Sequence, residues 1–256
     1  MVFRFFLFMA IVLWSGQLSA RTIVNVGLTS IQPPLVFSGS EERGLIYDVL
    51  AALNEHQDAY TFTPSLVPAK RLLANHQTDD FHLIAYNDVL WGWEQRGGKP
   101  SVNLTNGKDL FFQLKGTAKK NGVTAQIGAV MGFHYAFSDF NAEKLGSMPN
   151  VSLVSDESGV LKLVEFGRVD KGVASEAFLN WISISEPEVY AKLEIFADHP
   201  DHTYNRQFVV FPYAPITVEQ LNIYLRGLKA SGVLGEIYAK YGIEIPDFLP
   251  SFGTGS

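Results

Sequence analysis

The chain has 256 residues, 47% of them hydrophobic, a formal net charge of −6 and no cysteine. The basic residues form no long run and Lys119-Lys120 is an isolated pair, which excludes an extended nucleic-acid footprint. Without cysteine there is no disulfide framework, thiol nucleophile or Cys-based zinc site, and no acceptor for a lipid behind an export signal.

Arg4 precedes the unbroken apolar run Phe5–Trp14, and small residues in Ser15–Ala20 lead to Arg21. This is the order of a secretory signal peptide, and the run is too short to span a bilayer as a helix. The expectation is a signal peptide over 1–20 and a mature chain starting near Arg21 in the bacterial periplasm, without direct membrane anchoring.

Thr22–Leu28 alternates as a strand and Gln32-Pro33-Pro34 stops it. Gly44 opens a predicted helix over Leu45–Asn54, with Leu45, Val49, Leu50 and Leu53 at helical spacing. A second strand is predicted at Thr61–Val67, a helix from Pro68 through Asn75, and a third strand at Phe81–Tyr86. The β-α-β-α-β order predicts a mostly parallel sheet with helices on its faces.

The pattern then restarts. Ala125–Val130 reads as a strand, Gly132 breaks it, and a helix is expected through Phe140 or Ala142. Val151–Val154, Gly159–Phe166 and Gly172–Ala174 read as strand, helix and strand. Gln207–Phe211 is a strand ended by Pro212, and helices follow over Val218–Ala230 and Val233–Tyr241 around Ser231-Gly232. The fold class is α/β, with two lobes and therefore a cleft.

Asn87-Asp88 and Trp91-Gly92-Trp93 follow the third strand, where parallel α/β sheets place their binding crevice. The two indoles either stack on a ring or cation of a ligand or pack beneath the loop. Phe133, His134 and Tyr135 follow the first strand of the second unit and face the cleft by the same topology. Arg71, near a helix start, is either a cleft cation or a brace on the lobe surface. His199 and His202 flank Pro200 in a loop with no helical face to align them, so no metal site is expected. Walker, Gly-x-Ser-x-Gly and Gly-x-Gly-x-x-Gly motifs are absent.

Four patches resemble the amino-acid-type, or family 3, periplasmic solute-binding proteins: Val26–Leu28 with Pro33–Phe37 and Gly44–Asp48; Phe62 with Pro68–Leu72; Val160–Leu163 with Gly167–Asp170; and Leu221-Asn222 with Leu228–Gly242. The resemblance implies the two-lobed type II fold. Lobe 1 would comprise residues 21–108 and 214–250, and lobe 2 residues 109–213. Crossings would lie near Asp109–Gly116 and Arg206–Tyr213, ahead of a flexible tail at 251–256. Such proteins close by a hinge on a small solute and present it to a membrane permease of an ABC transporter. No catalysis, no cofactor and a monomeric state are implied.

Two ligand contacts come from the same resemblance. Arg96, in Trp93-Glu94-Gln95-Arg96, falls where the family has a carboxylate-gripping Thr-x-x-Arg, with Trp93 in place of the threonine. Ser175 falls where the family has the acid that meets a ligand ammonium, and Glu176 is one position further on. Arg71 is the rival cation. Two alternatives remain open: a ligand-sensing partner of a membrane signalling protein, and a dehydratase-like lyase with Glu176, Asp88 or Glu157 as acid or base.

Overall fold

The structure is a computed structural model that describes residues 20–28, 31–37, 43–67, 80–117 and 124–248. The predicted signal peptide, the helix from Pro68 with Arg71, and the tail at 251–256 lie outside the described residues.

Strand β1 (Thr22–Leu28) buries Val24, Val26 and Leu28. The chain then reaches helix α1 (Leu45–Glu55), which turns Leu45, Ile46, Val49, Leu50, Ala52 and Leu53 inward. Gly44 starts it at φ 132°, where an added Cβ would stand 2.3 Å from the Leu35 carbonyl oxygen, so only glycine fits. Strands β2 (Tyr60–Leu66) and β3 (Leu83–Asn87) pair in parallel with β1 on either side. These strands fall where the sequence pattern placed them.

After β3 come a short 3-10 turn at Glu94–Arg96, strand β4 (Lys99–Pro100) and the long strand β5 (Thr105–Leu114). The second unit contains β6 (Ile127–Val130), α2 (Ala142–Ser147), β7 (Val151–Val154), α3 (Glu157–Glu165) and β8 (Lys171–Ser175). Next come α4 (Glu176–Ser185), α5 (Pro187–Tyr190), β9 (Leu193–Ile195) and β10 (His202–Val210). Helices α6 (Val218–Ala230) and α7 (Val233–Ala239) return to the first unit, and a capping box between Thr217 and Gln220 opens α6.

The helix expected after Gly132 differs. Only a 3-10 turn forms at Ala136–Ser138, because Asp139 and Phe140 adopt φ of 54° and 55°, which stops a right-handed helix. Helix α2 starts afresh behind Asn141, whose side chain accepts from Glu143 N and Lys144 N.

The strand path is β2-β1-β3-β10-β5-β8-β6-β7, with β4 on β10 and β9 on β5. Its two ends are parallel: β1 with β2 and β3, and β6 with β7 and β8. Between them β5 and β10 run antiparallel to their neighbours. Residues His202–Arg206 of β10 pair with Thr105–Asp109, whereas Val209 and Val210 pair with β3 and β4. One strand therefore belongs to both sheets.

Burial follows this division. One core gathers Val26, Leu50, Phe62, Phe208, Leu225 and Tyr238 between the first sheet and α1, α6 and α7. Another gathers Phe112, Val160, Val164, Phe178 and Ile182 around β5, α3 and α4, with Ala129, Tyr135 and Val173 in a companion cluster. The molecule is a two-lobed α/β protein in which each lobe has its own core.

Candidate functional site

A cleft lies where the two units meet. Gln32, Asn87, Trp91 and Trp93 line it from the first unit, and Gly132, Phe133 and His134 from the second. Asp109 of β5 and Tyr204 and Arg206 of β10 complete the wall.

Strand alternation explains Tyr204 and Arg206. They share one face of β10 with Phe208, and all three are buried. Arg206 Nη1 donates to Gln32 Oε1 and to the Tyr86 carbonyl, each at 3.2 Å, and Nη2 donates to the Tyr204 hydroxyl at 3.1 Å. Tyr86 reaches that position with φ 50°, a conformation a bulky residue rarely adopts. The guanidinium carbon lies 4.9 Å from the centre of the Tyr204 ring and 6.0 Å from that of Trp91. Burial works against its charge, and Tyr204, Asp109 and Glu157 more than offset that.

The Tyr204 hydroxyl in turn donates to Asp109 Oδ1 at 3.0 Å. Burial pushes the Asp109 carboxyl up to about 6, against the pull of His202, Arg206 and the tyrosine hydrogen bond. Beside it, Glu157 opens α3 with a buried side chain. Its Oε1 accepts from Ser175 N at 2.5 Å, and its Oε2 is buried without a partner among the described residues. Burial pushes Glu157 up to about 7, the Ser175 N–H pulls it down and Asp109 raises it again. His134 is held below the usual imidazole range by burial first, then by His202 and Arg96.

Of the residues singled out from the sequence, Asn87, Trp91, Trp93 and Phe133 come together on the cleft wall. Trp93 is also a packing residue: it is buried against Phe211, and its indole N–H donates to Asn87 Oδ1 at 2.7 Å. The other candidates have neighbours of their own. Asp88 accepts from Leu90 N and Asn205 N, and the Tyr135 hydroxyl accepts from Val130 N. Ser175 caps α4 by accepting from Phe178 N, and Glu176 is half-exposed, 3.4 Å from Lys108 Nζ. Arg96 folds back on its own turn, donating to Gly92 O at 3.2 Å with its guanidinium over Trp93. Among the described residues, the permanent cation that lines the cleft is Arg206.

Arg206, Asp109, Tyr204 and Gln32 were not singled out as ligand contacts. A signal existed: on the buried face of β10 a charged residue stands between Tyr204 and Phe208, and a buried charge needs partners or a function.

No protein-family model matches this chain, and neither does any curated protein sequence. Solved structures do. The arginine-, lysine-, histidine-binding protein ArtJ of Geobacillus stearothermophilus superposes with a TM-score of 0.68 at 18% identity, over 88% of this chain and 97% of that one. A histidine kinase sensor domain similar to periplasmic binding proteins gives 0.70 at 15% identity, over 89% and 99%. The ancestral amino-acid-binding protein AncCDT-1, a precursor of cyclohexadienyl dehydratase, gives 0.64 at 14% identity, over 86% and 94%. The chain has the type II periplasmic-binding-protein fold. β5 and β10 pair with each other between the two parallel ends of the strand path. Asp109, Tyr204 and Arg206 therefore sit on the connections between the lobes, and the aromatic walls on the lobes themselves.

Proposed function

We propose that this protein is a periplasmic solute-binding protein of the amino-acid type. It captures a small amino acid or related carboxylate in the cleft and presents it to a membrane ABC transporter. One observation carries the reading: a buried guanidinium, with three of its five N–H groups engaged among the described residues, lines an aromatic-walled cleft between two lobes. A carboxylate is the natural complement of the remaining donors, because arginine presents a planar fork to it. Asn87, Trp91, Trp93 and Phe133 form the walls around that group, and we read the site as non-catalytic and cofactor-free.

The likeness to ArtJ, an arginine-, lysine-, histidine-binding protein, supports an amino-acid ligand. Export rests on the signal-peptide pattern of residues 1–20, and no helix among the described residues is long and apolar enough to cross a membrane. The likeness to a kinase sensor domain supports a second reading, in which the loaded protein signals to a membrane sensor.

The test is calorimetry of folded 21–256 against the twenty amino acids and a panel of small organic acids. Saturable one-to-one binding, lost in Arg206→Ala, is the expected result. No heat from any member overturns the reading. Turnover of a cyclic acid would instead place the protein with the lyases of this fold.

A further inference from the structure

Resting on that reading and narrowing it, we propose that the ligand carries a positively charged nitrogen seated against Asp109 between Trp91, Phe133 and Tyr204. We further propose that its arrival drives a proton off the neighbouring acid Glu157 into solvent.

The geometry begins with Asp109. Its Oδ1 is engaged by the Tyr204 hydroxyl, whereas Oδ2 takes no hydrogen bond among the described residues. The nearest basic atom to Oδ2, His202 Nδ1, stands 3.8 Å away and is bonded to Asp201 Oδ2 at 3.0 Å. A carboxylate oxygen on a cavity wall without a donor is a place for one. Trp91, Phe133 and Tyr204 line the same cavity as Asp109, and aromatic rings favour a cation through the negative side of their quadrupole.

Glu157 supplies the second, independent observation. Its side chain is buried, and Oε2 has no hydrogen-bond partner among the described residues. Ser175, whose N–H is held by Oε1, stands opposite Asp109 in the β5–β8 ladder, so the two carboxyls share one neighbourhood. The groups that bear on the pair are Arg206, Tyr204 and His202 of β10, Asp201 just before it, and Tyr135 after β6. Asp201 is occupied by the Ala136 and Phe137 N–H groups at 2.6 and 3.0 Å, and the Tyr135 hydroxyl by Val130 N–H. Arg206 is the permanent cation of this set, facing three carboxyls.

Burial first, and the repulsion of neighbouring carboxylates second, leaves the acids holding protons, Asp109 up to about 6 and Glu157 up to about 7. A cation brought to Asp109 supplies the missing charge. The Glu157 O–H bond then breaks, its electron pair stays on the carboxylate and the proton passes to the buffer. An acid pair this close titrates as a unit, so part of the released proton comes from Asp109.

The experiment uses 21–256 at pH 6.5 and three matched pairs: L-phenylalanine against 3-phenylpropanoate, L-glutamate against glutarate, and L-lysine against hexanoate. Each is titrated calorimetrically in two buffers that hold the pH and differ in ionisation heat, phosphate and bis-Tris at pH 6.5 and borate and Tris at pH 8.5, so that released protons appear as a heat difference. In at least one pair the amine-bearing member should bind about tenfold tighter or better, a gap of about 1.4 kcal/mol. It should release protons at pH 6.5 and none at pH 8.5. Asp109→Asn should cost at least about tenfold in affinity. Glu157→Gln should abolish most of the release and weaken binding less. Circular dichroism checks each variant's fold, and the two-buffer comparison on the unmodified protein stands even if Asp109→Asn does not fold. A nitrogen-free member that binds as tightly as its amine, or equal heats in the two buffers, overturns this inference and leaves the solute-binding reading intact. Failure of all six ligands and of the wider panel removes both.

Discussion

Trp91 and His134 stack face to face across the cleft, with ring centroids 6.0 Å apart and planes 4° from parallel. Trp91 comes from the loop after β3 and His134 from the loop after β6, so the stack joins one lobe to the other. Such a pair is worth about 1 kcal/mol beyond its burial. Trp91→Ala should therefore weaken ligand binding by about fivefold while leaving the unfolding midpoint nearly unchanged. An unaltered Kd by calorimetry would show that the stack does not contribute to ligand binding.

A second bridge stands at Phe37. Its ring meets Trp181 of α4 edge-on at 5.1 Å and Tyr241 at 6.5 Å, and Arg43 lies 5.4 Å from it. Phe37 packs with the first lobe and Trp181 with the second, so the contact latches the lobes together. Phe37→Ala should raise the radius of gyration of the ligand-free protein in small-angle scattering, and ligand should restore it. Identical scattering curves for variant and parent would refute the latch.

Arg206 should matter to folding as well as to binding. Arg206→Ala leaves Asp109, the Tyr204 hydroxyl, Gln32 Oε1 and the Tyr86 carbonyl around a lost charge, which costs about 3–5 kcal/mol for a buried ion-pair partner. Arg206→Lys keeps the charge and loses the planar fork, so it should recover part of the stability but little of the affinity for a carboxylate ligand. Urea unfolding and calorimetry on the two variants check this. Equal affinities for lysine and arginine would move the carboxylate contact elsewhere.

Gly107 shows how closely the site is built. An added Cβ there would lie 2.0 Å from Cε2 of Tyr204, whose hydroxyl joins Asp109 to Arg206. The ring must swing away, taking that hydrogen bond with it. Gly107→Ala should therefore reduce affinity by about tenfold or more with a native circular dichroism spectrum, whereas Gly227→Ala, which meets nothing within 4 Å, should be silent. Equal binding by both variants would separate Tyr204 from ligand recognition.

Most of the fold was legible because burial writes a period into the chain. Alternation marked β1, and 3.6-residue spacing marked α1 and α3. Helix α2 was misplaced because the left-handed turn at Asp139 and Phe140 is tertiary in origin, with Ala136 and Phe137 tied to Asp201 far along the chain. The site was half legible for a related reason. Trp91 and Phe133 follow strands of parallel sheets, where topology predicts a crevice. Asp109 and Arg206 lie instead on the antiparallel strands β5 and β10, and their meeting depends on a long-range register that pairs Thr105 with Arg206. Nothing local to either residue announces it.

The raised carboxyls predict how stability depends on pH. Glu157 stands at about 7 against an ordinary 4.5, so the folded chain holds this proton more tightly than the unfolded chain does. Between those values the folded state binds more protons, and unfolding free energy falls as pH rises. The loss amounts to about 3 kcal/mol and is complete above pH 7. Asp109, at about 6, acts in the same direction between roughly pH 4 and 6. His134, held below its usual range, acts in the opposite direction below about pH 6.5, because its unfolded form takes up the proton first. Glu157→Gln isolates the first effect: glutamine retains an oxygen for the Ser175 N–H and cannot ionise. In ligand-free protein the variant and parent should have similar stability at pH 5, and at pH 8 the variant should be the more stable by about 3 kcal/mol in urea unfolding. Parallel stability profiles from pH 5 to 8 would mean that Glu157 is already ionised in the folded protein, and the proton expected to leave with ligand binding would have to come from Asp109 alone.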